Sequence, residues 1–187
     1  MFEPIISTER LDLHHIPVAG LISLFEEKDD VAAIAGRSFT NPYRNLIDDS
    51  GPLAWRVPQV KEDAGLNKWF VRFIVLRTSN EVIGSTSFHG APDKDGMVEI
   101  GLGIEERFRN EGYAKEALLG MWRWVCTKPE VRTLRYTVSA SNTPSMRIIQ
   151  GYGFAHKGQQ LDEIDGPEEI FEMSTEEFLQ KWGSQNV

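Results

Sequence analysis

Two neighbouring stretches decide the fold of this 187-residue chain: Val98-Glu99-Ile100-Gly101-Leu102-Gly103-Ile104 and, a few residues later, Arg109-Asn110-Glu111-Gly112-Tyr113-Ala114. In the first stretch, apolar residues alternate with Glu99, Gly101 and Gly103, which indicates a strand with two different faces. The second stretch is charged and is followed by apolar residues at helical spacing from Gly112 onward. Together the two stretches predict a strand that passes through a turn into a helix.

The turn predicts a binding site for an anion. Successive backbone N–H groups at the start of a helix point outward at the positive end of the helix dipole, and Arg107 and Arg109 add positive charge. Gly101 and Gly103 share one strand face, where a ligand can lie close to the backbone. The spacing differs from the phosphate loop of ATP-binding folds, Gly-x-x-x-x-Gly-Lys-Ser/Thr, and from the dinucleotide motif Gly-x-Gly-x-x-Gly.

The flanking segments predict the remaining elements. Before the turn we expect a strand over Thr8 to Ile16, helices over Val18 to Glu27 and Val31 to Ala35, an irregular segment over 37–67, and a hairpin of strands Trp69 to Leu76 and Glu81 to Phe88. After it we expect a helix over Gly112 to Thr127, a strand over Leu134 to Ala140, a short helix from an N-cap at Thr143 to Gly151, strands over Gly153 to Gln160 and Glu168 to Met173, and a helix from Ser174.

This order predicts an α+β (mixed α/β) fold with a mostly antiparallel, twisted sheet of about six to seven strands and helices on both faces. The chain length fits a single domain over residues 1–187. Irregular segments as long as 37–67 are often functional, which makes this one a candidate for binding an acceptor. Within it, Tyr43 and Trp55 either line an acceptor pocket or pack against the core.

Composition excludes some classes of function. With 41% hydrophobic and 26% charged residues, the chain is typical of a soluble globular protein. Its formal net charge of −8 argues against general nucleic-acid binding, which needs clustered Lys and Arg. Much of the acidic charge lies late in the chain, where it forms a solvated face or steers a basic amine: Asp162, Glu163, Asp165, Glu168, Glu169, Glu172, Glu176 and Glu177.

The cysteine, histidine and hydropathy patterns predict a cytoplasmic protein without metal. Cys126 is the single cysteine, so no intrachain disulfide and no four-cysteine zinc site can form, and it is expected to behave as a small buried apolar group. The four histidines show no metal-ligand spacing. The amino terminus lacks the pattern of a secretory signal, and no window resembles a membrane span, so we expect no membrane partner.

The combined motifs resemble those of the GNAT superfamily of acetyltransferases, whose pyrophosphate loop reads Arg/Gln-x-x-Gly-x-Gly/Ala. Arg109, Gly112 and Ala114 occupy its three fixed positions. The stretch Glu99-Ile100-Gly101 precedes the loop, and Asn142-Thr143-Pro144-Ser145 followed by Gly151-Tyr152-Gly153-Phe154 comes later. The pattern looks like the branch that contains ribosomal-protein N-terminal (alanine/serine) acetyltransferases, and the likeness extends from Thr8 to about Leu179.

The resemblance implies acetyl-CoA as the co-substrate, bound at a V-shaped splay between the fourth and fifth strands. It implies pantetheine contacts from the backbone of Leu102, Gly103 and Ile104, pyrophosphate contacts from Arg109, Asn110, Glu111, Gly112, Tyr113 and Ala114, and a side-chain contact from Asn142. The alternative is that the turn is only a connection and that Asn142 only caps a helix. Many members of the branch have glycine where Asn110 stands, but asparagine tolerates the left-handed backbone conformation.

The chemistry requires a neutral amine, an electrostatic partner for the oxyanion and a proton for the leaving thiolate. Glu99 is the candidate base, and the alternative is that it orients the acceptor or pairs with an arginine. Ser145 resembles the family position near the sulfur and is the candidate acid, although it is equally suited to bonding within the first helical turn. The N–H of Leu102 is suited to polarising the thioester carbonyl. His89 either touches the acceptor or is an ordinary turn residue.

These features predict an N-acetyltransferase that transfers acetyl to a primary amine by direct attack in a ternary complex. The acceptor is a protein N-terminus, or alternatively a small amine such as an antibiotic, a polyamine or an amino-acid conjugate. An alternative of another class is a non-catalytic regulator that binds acyl-CoA. Either a monomer or a homodimer fits the sequence.

Overall fold

The computed structural model describes residues 3–162 and 166–183, so Glu163 and Asp165 of the acidic stretch lie outside the described residues. The described strands follow this order across the sheet: β1 (Ile6–Ser7), β2 (Leu11–His15), β3 (Arg72–Leu76), β4 (Glu81–Phe88), β5 (Met97–Ile104), β6 (Thr133–Ser139), β8 (Gly166–Ser174) and β7 (Ala155–Asp162). The chain divides into two compact units. The first contains residues up to Ala91 and Gly101–Met121, and the second contains Pro92–Ile100 and the chain from Trp122 onward. The single-domain organisation predicted from length stays a prediction.

The first unit combines an antiparallel sheet with several helices. Its strands are β1 (Ile6–Ser7), β2 (Leu11–His15), β3 (Arg72–Leu76), β4 (Glu81–Phe88) and the Gly101–Ile104 half of β5 (Met97–Ile104). Its helices are α1 (Val18–Ile22) with a π-helical continuation (Ser23–Glu27), α2 (Val31–Ile34), α3 (Leu53–Glu62), 3₁₀ turns over Ala64–Trp69 and Glu106–Phe108, and the first turns of α4 (Tyr113–Val125).

The hydrophobic pattern explains these elements. In β2, Leu11 and Leu13 are fully buried while Asp12 and His14 are half-buried, as expected for alternating faces. The predicted hairpin is confirmed, because β3 pairs antiparallel with β4. On α4, residues at helical spacing form one buried face: Ala117, Leu118, Met121, Trp122 and Val125.

The second unit is built on β6 (Thr133–Ser139), which pairs in parallel with the first half of β5 and antiparallel with β8 (Gly166–Ser174). Strand β7 (Ala155–Asp162) lies on the other side of β8. Helices α5 (Thr143–Tyr152) and α6 (Thr175–Trp182) complete the unit. Trp122 lies at the centre of its core, with four aromatic ring centroids 4.8–6.3 Å away, those of Tyr136, Tyr152, Phe154 and Phe178.

The predicted mixed α/β class with a mostly antiparallel sheet is confirmed, but the sheet has eight strands among the described residues rather than six or seven. The difference arises at the amino terminus, where the predicted strand from Thr8 to Ile16 begins later, at Leu11. The N–H of Thr8 donates to the carbonyl of Leu11 at 2.9 Å, and this turn separates β1 from β2. The V-shaped splay implied by the resemblance stays a prediction.

The segment over 37–67 was expected to be irregular, and this was wrong for its second half. It contains α3 with Pro58 in its interior. The buried face of the helix follows the spacing i, i+3, i+4, i+7: Leu53, Arg56, Val57 and Val60. That spacing is visible in the sequence, but the prolines obscured it, because proline usually ends a helix.

The ends of α5 also differ from the expectation. Asn142 rather than Thr143 is the N-cap, because its side-chain oxygen accepts the N–H of Ser145 at 3.3 Å. The helix ends at Gly153, which adopts a left-handed conformation with φ of 78°, rather than at Gly151. A glycine in this conformation is the common way to close a helix.

Candidate functional site

The turn between β5 and α4 has a specific backbone conformation. After the 3₁₀ turn, Asn110 has φ of 66° and Gly112 has φ of 83°, so two left-handed residues flank Glu111. The expected tolerance of asparagine for this conformation is confirmed at Asn110. This alternation brings the backbone N–H groups of the turn to the start of a thirteen-residue helix.

The N–H groups of the turn are open. In the described part of the chain, no acceptor contacts the N–H groups of five successive residues: Asn110, Glu111, Gly112, Tyr113 and Ala114. Residues Asn110 to Gly112 are exposed, and Tyr113 and Ala114 are half-buried. The positive end of the α4 dipole is added to these donors. The arrangement therefore suits a phosphorylated ligand.

Arg109 links this turn to β5. Its Nε donates to the carbonyl of Ile104 at 3.0 Å, and the residue is exposed. The carbonyl of Ile104, one of the backbone groups implied for pantetheine, therefore already accepts one bond from the protein. Arg109 thus makes a structural contact with β5 and directly precedes the open N–H groups along the chain.

The glycine positions of β5 differ in what lies beside them. A Cβ atom at Gly103 would meet no atom within 4 Å, so the backbone there is open to a ligand. A Cβ atom at Gly101 would lie 3.2 Å from Nε2 of His89, so this imidazole covers that position. On the β4 side, a Cβ atom at Gly84 would lie 2.2 Å from the carbonyl oxygen of Gly103, so only glycine permits this close approach.

Glu99 is held by β6. It is half-buried, and its Oε1 accepts the hydroxyl of Thr137 at 2.5 Å. Arg135 lies directly opposite Glu99 in the ladder, and its guanidinium binds Glu172 at 2.6 Å. The hydroxyl of Thr137 is thus a fixed partner for the candidate base, and sequence reasoning did not identify it.

Ser145 also has a partner that sequence reasoning missed. Its hydroxyl forms a hydrogen bond with the hydroxyl of Tyr136, and burial is the main reason why the pKa of Tyr136 is raised. Asn142 is exposed, and its side-chain oxygen caps α5 while its amide donors make no contact within the described residues. Capping and cofactor binding are therefore compatible at Asn142.

The two candidate catalytic residues do not converge on one face of β6. Glu99 is hydrogen-bonded to Thr137, and Ser145 is hydrogen-bonded to Tyr136. Tyr136 and Thr137 are successive residues of β6. Successive strand residues project to opposite faces. Alternation along β6, visible in the sequence as Leu134, Tyr136 and Val138, is the signal from which Tyr136 and Thr137 could have been assigned to different faces.

The segment after α2 supports the turn instead of forming an isolated loop. The Tyr43 ring lies edge-on to Phe108 at 5.5 Å between centroids, and the Arg107 guanidinium lies 4.4 Å from its centre. Asn45 donates to Glu105 at 2.8 Å. Tyr43 therefore packs against the turn, whereas Trp55 remains 52% exposed on α3.

Cys126 is half-buried rather than fully buried and lies directly after α4, and burial raises the pKa of its thiol to about 12. The described part of the chain contains no group of three or more His, Cys, Asp or Glu side chains arranged to hold a metal ion. None of the helices in the described ranges has the length and apolar character needed to cross a membrane.

These features define a mixed α/β protein with open backbone N–H groups at a helix start that follows a glycine-bearing strand. Residues 20–155 match the model of the acetyltransferase (GNAT) domain, and the chain belongs to this family. It is 30% identical over 90 residues to an uncharacterized N-acetyltransferase, YjdG, of Bacillus subtilis. That match covers 48% of this chain and 52% of the relative, so the chain spans about half the length of the curated relative.

Solved structures with the same fold cover nearly the whole chain. The ribosomal-protein-S5-alanine acetyltransferase of Vibrio fischeri superposes with a TM-score of 0.65 at 12% identity, covering 94% of this chain and 99% of the other. The ribosomal L7/L12 acetyltransferase RimL in complex with coenzyme A gives 0.62 at 14%, covering 91% and 98%. A chimera of spermidine N-acetyltransferases, from Vibrio cholerae and hSSAT, gives 0.62 at 12%, covering 91% and 99%. At identities of 12–14%, this likeness shows a shared fold and nothing more.

Proposed function

We propose that this protein transfers an acetyl group from acetyl-CoA to a primary amine by direct attack in a ternary complex. The observation that carries the proposal is the turn with five open N–H groups at the start of α4, in a chain of the GNAT family. The pyrophosphate of acetyl-CoA binds there, Arg109 adds positive charge, and the amide of Asn142 contacts the cofactor. The backbone of Leu102, Gly103 and Ile104 pairs with the pantetheine arm.

Glu99 removes a proton from the acceptor ammonium, directly or through a water, with its carboxylate oriented by Thr137, and the neutral amine then attacks the thioester carbonyl. Ser145, bonded to Tyr136, donates a proton to the leaving thiolate, and the N–H of Leu102 stabilises the oxyanion. The raised pKa of Cys126 supports direct attack, since a protonated thiol is a poor nucleophile for an acyl-enzyme route.

The acceptor that we favour is a protein N-terminus. The motif spacing around Asn142 and Ser145 supports this choice, and the folds of two ribosomal-protein acetyltransferases agree with it. The acidic character of the chain is compatible with any cationic amine, and one similar fold belongs to a spermidine enzyme. A small-amine acceptor and a non-catalytic acyl-CoA-binding role are therefore outcomes that the experiment distinguishes.

The test measures CoA release from acetyl-CoA with peptides that carry a free N-terminal alanine or serine, with spermidine and with an amino-sugar antibiotic. The matched control is the same peptide with an acetylated N-terminus. We expect turnover with the free peptides and none with the blocked ones. In Glu99→Gln and Ser145→Ala variants, kcat should fall by roughly 10²-fold, as for the loss of general acid–base catalysis.

Each outcome is informative. Turnover with spermidine or the antibiotic alone would change the acceptor but keep the chemistry. Binding of acetyl-CoA without release of CoA from any amine would favour the regulator. If both variants turn over like the unmodified protein between about pH 6 and 9, the roles of Glu99 and Ser145 are wrong.

A further inference from the structure

We propose that Arg10 is a positioning residue that holds the turn between β5 and α4 in its anion-binding conformation. The inference rests on the proposed function, because it concerns the binding of acetyl-CoA by this turn. It adds a residue from the amino-terminal end of the chain, about a hundred positions from the motif, to the machinery of the donor site.

The guanidinium of Arg10 is fixed by Glu116 on α4. Its Nε donates to Oε2 of Glu116 at 2.7 Å, and its backbone N–H donates to Oε1 at 2.7 Å. The buried Thr8 adds a hydroxyl hydrogen bond to Oε1 at 2.5 Å. The Glu116 side chain is only 9% exposed, whereas that of Arg10 is 39% exposed, so the carboxylate end of these bonds is protected from solvent. Arg10 therefore reaches the turn from a rigid position.

Glu116 is ionised near neutral pH, so its ion pair with Arg10 is kept there. Burial alone would raise the pKa of Glu116, but the hydrogen bonds from Thr8 and Arg10 outweigh burial and lower the pKa below its ordinary value. The carboxylate thus carries the negative charge that a bond to a guanidinium requires, and such charge-assisted bonds are the stronger ones.

From this anchor, Arg10 contacts three successive residues of the turn. Its Nη1 donates to the carbonyl of Glu111 at 3.0 Å, and its guanidinium carbon lies 4.4 Å from the ring centre of Tyr113. A Cβ atom at Gly112 would lie 3.4 Å from its Nη2. These contacts leave the open N–H groups of the turn untouched.

The bond to Glu111 determines where the next N–H points. In a trans peptide, the carbonyl of one residue and the N–H of the next point in opposite directions. Because the carbonyl of Glu111 points toward Arg10, the N–H of Gly112 points away from it, where an anion can reach it. Without Arg10, the peptide between Glu111 and the left-handed Gly112 is free to rotate and to lose this donor.

A purely structural role is the competing explanation, since the same contacts attach the turn between β1 and β2 to α4. The two roles differ in their ligand dependence. A structural defect weakens the binding of any donor, whereas a misdirected N–H weakens only donors that carry a pyrophosphate.

The test compares dissociation constants for acetyl-CoA and for S-acetylpantetheine, which lacks the pyrophosphate, in the unmodified protein and in Arg10→Met and Arg10→Lys variants. Lys181→Met is the matched control, because it too removes one positive charge. Lys181 lies on α6 and forms an exposed ion pair with Glu177 at 2.7 Å. Thermal unfolding of each variant is measured in parallel. The steady-state constants for acetyl-CoA complete the data set.

We expect Arg10→Met to weaken acetyl-CoA binding about tenfold, as for the loss of a hydrogen bond to a charged group, while S-acetylpantetheine binding changes less than about twofold. The KM for acetyl-CoA should rise by a similar factor with little change in kcat. Arg10→Lys keeps the charge but not the forked donor geometry and should give an intermediate loss. Lys181→Met should bind both donors normally.

Equal weakening of both donors, or unchanged acetyl-CoA binding in Arg10→Met, overturns the proposal. If Arg10→Met does not fold, Arg10→Lys provides the same comparison. A failure of the unmodified protein to bind acetyl-CoA would contradict the proposed function instead, so the two failures are distinguishable.

Discussion

Gly84 shows how a single residue sets the spacing of strands β4 and β5. Its missing side chain lets the carbonyl of Gly103 approach to a position only 2.2 Å from where a Cβ atom would stand. Real Cβ atoms are not found so close to backbone, so any other residue at this position moves one of the two strands. Sequence patterns alone indicate a strand here and say nothing of this approach.

We therefore predict that Gly84→Ala lowers the free energy of unfolding by about 1–3 kcal/mol, the usual cost of overpacking a closely packed site. The measurement is urea unfolding at neutral pH. Gly90→Ala is the control, because a Cβ atom there meets no atom within 4 Å. Equal free energies of unfolding for the two variants would contradict the prediction, because they would show that β4 and β5 can move apart without loss of stability.

At the scale of elements, α4 and α5 present their starts in different ways. The turn before α4 leaves five successive N–H groups open, whereas Asn142 satisfies a backbone donor of α5 with its own side-chain oxygen. A helix start with open donors suits a ligand, and a capped start is complete without one. What α5 offers a ligand is the amide group of Asn142 rather than its backbone.

This difference leads to a prediction for Asn142→Asp. Aspartate caps a helix as well as asparagine does, so the melting temperature should be retained, whereas Asn142→Ala should cost about 1 kcal/mol. Aspartate lacks the amide donors and adds a negative charge, so acetyl-CoA affinity should fall in Asn142→Asp. Calorimetric melting and acetyl-CoA titration of both variants provide the measurements. Normal acetyl-CoA binding by Asn142→Asp would leave Asn142 as a helix cap only.

At the scale of the whole molecule, acid stability depends on histidines of the first unit. Burial, with a contribution from Arg37, lowers the pKa of His14 to about 4, and burial also lowers the pKa of His15. Nδ1 of His14 lies 2.5 Å from Nη1 of Arg37, and an arginine can only donate, so this nitrogen is an acceptor and the ring is neutral. Protonation of His14 therefore breaks a contact as well as placing two positive charges together.

The sign of the pH dependence follows from linkage. The unfolded chain takes up a proton at His14 near pH 6.5 and the folded chain only near pH 4, so the free energy of unfolding decreases as the pH falls through this window. At the low-pH end of this window, His14 lowers the free energy of unfolding by on the order of 2 kcal/mol.

We predict that His14→Asn, which keeps an acceptor for Arg37, loses less stability than the unmodified protein between about pH 7 and 4.5. Urea unfolding at both pH values is the measurement. The control is His156→Asn, which removes a histidine of the exposed strand β7. An identical pH dependence in the unmodified protein and His14→Asn would contradict the assignment.

The sequence by itself determined most of the elements and the turn between β5 and α4, because these depend on local patterns. Alternation gave β5, helical spacing gave α4, and the order Arg109, Gly112, Ala114 indicated the family. It also predicted that Asn110 would accept a left-handed conformation. Among the main helices and strands of the described ranges, α3 and the short strand β1 were missed, because a proline and a tight turn interrupted the local pattern.

Only the tertiary structure decided which distant residues serve the site. Arg10 contacts Glu111, Tyr43 supports Phe108, and Thr137 and Tyr136 bind the candidate catalytic residues. Three of these contacts join residues far apart along the chain, and Tyr136 and Ser145 lie on different elements, so no local spacing encodes them. They follow from strand register and side-chain packing, which bring together groups whose proximity depends on the complete fold.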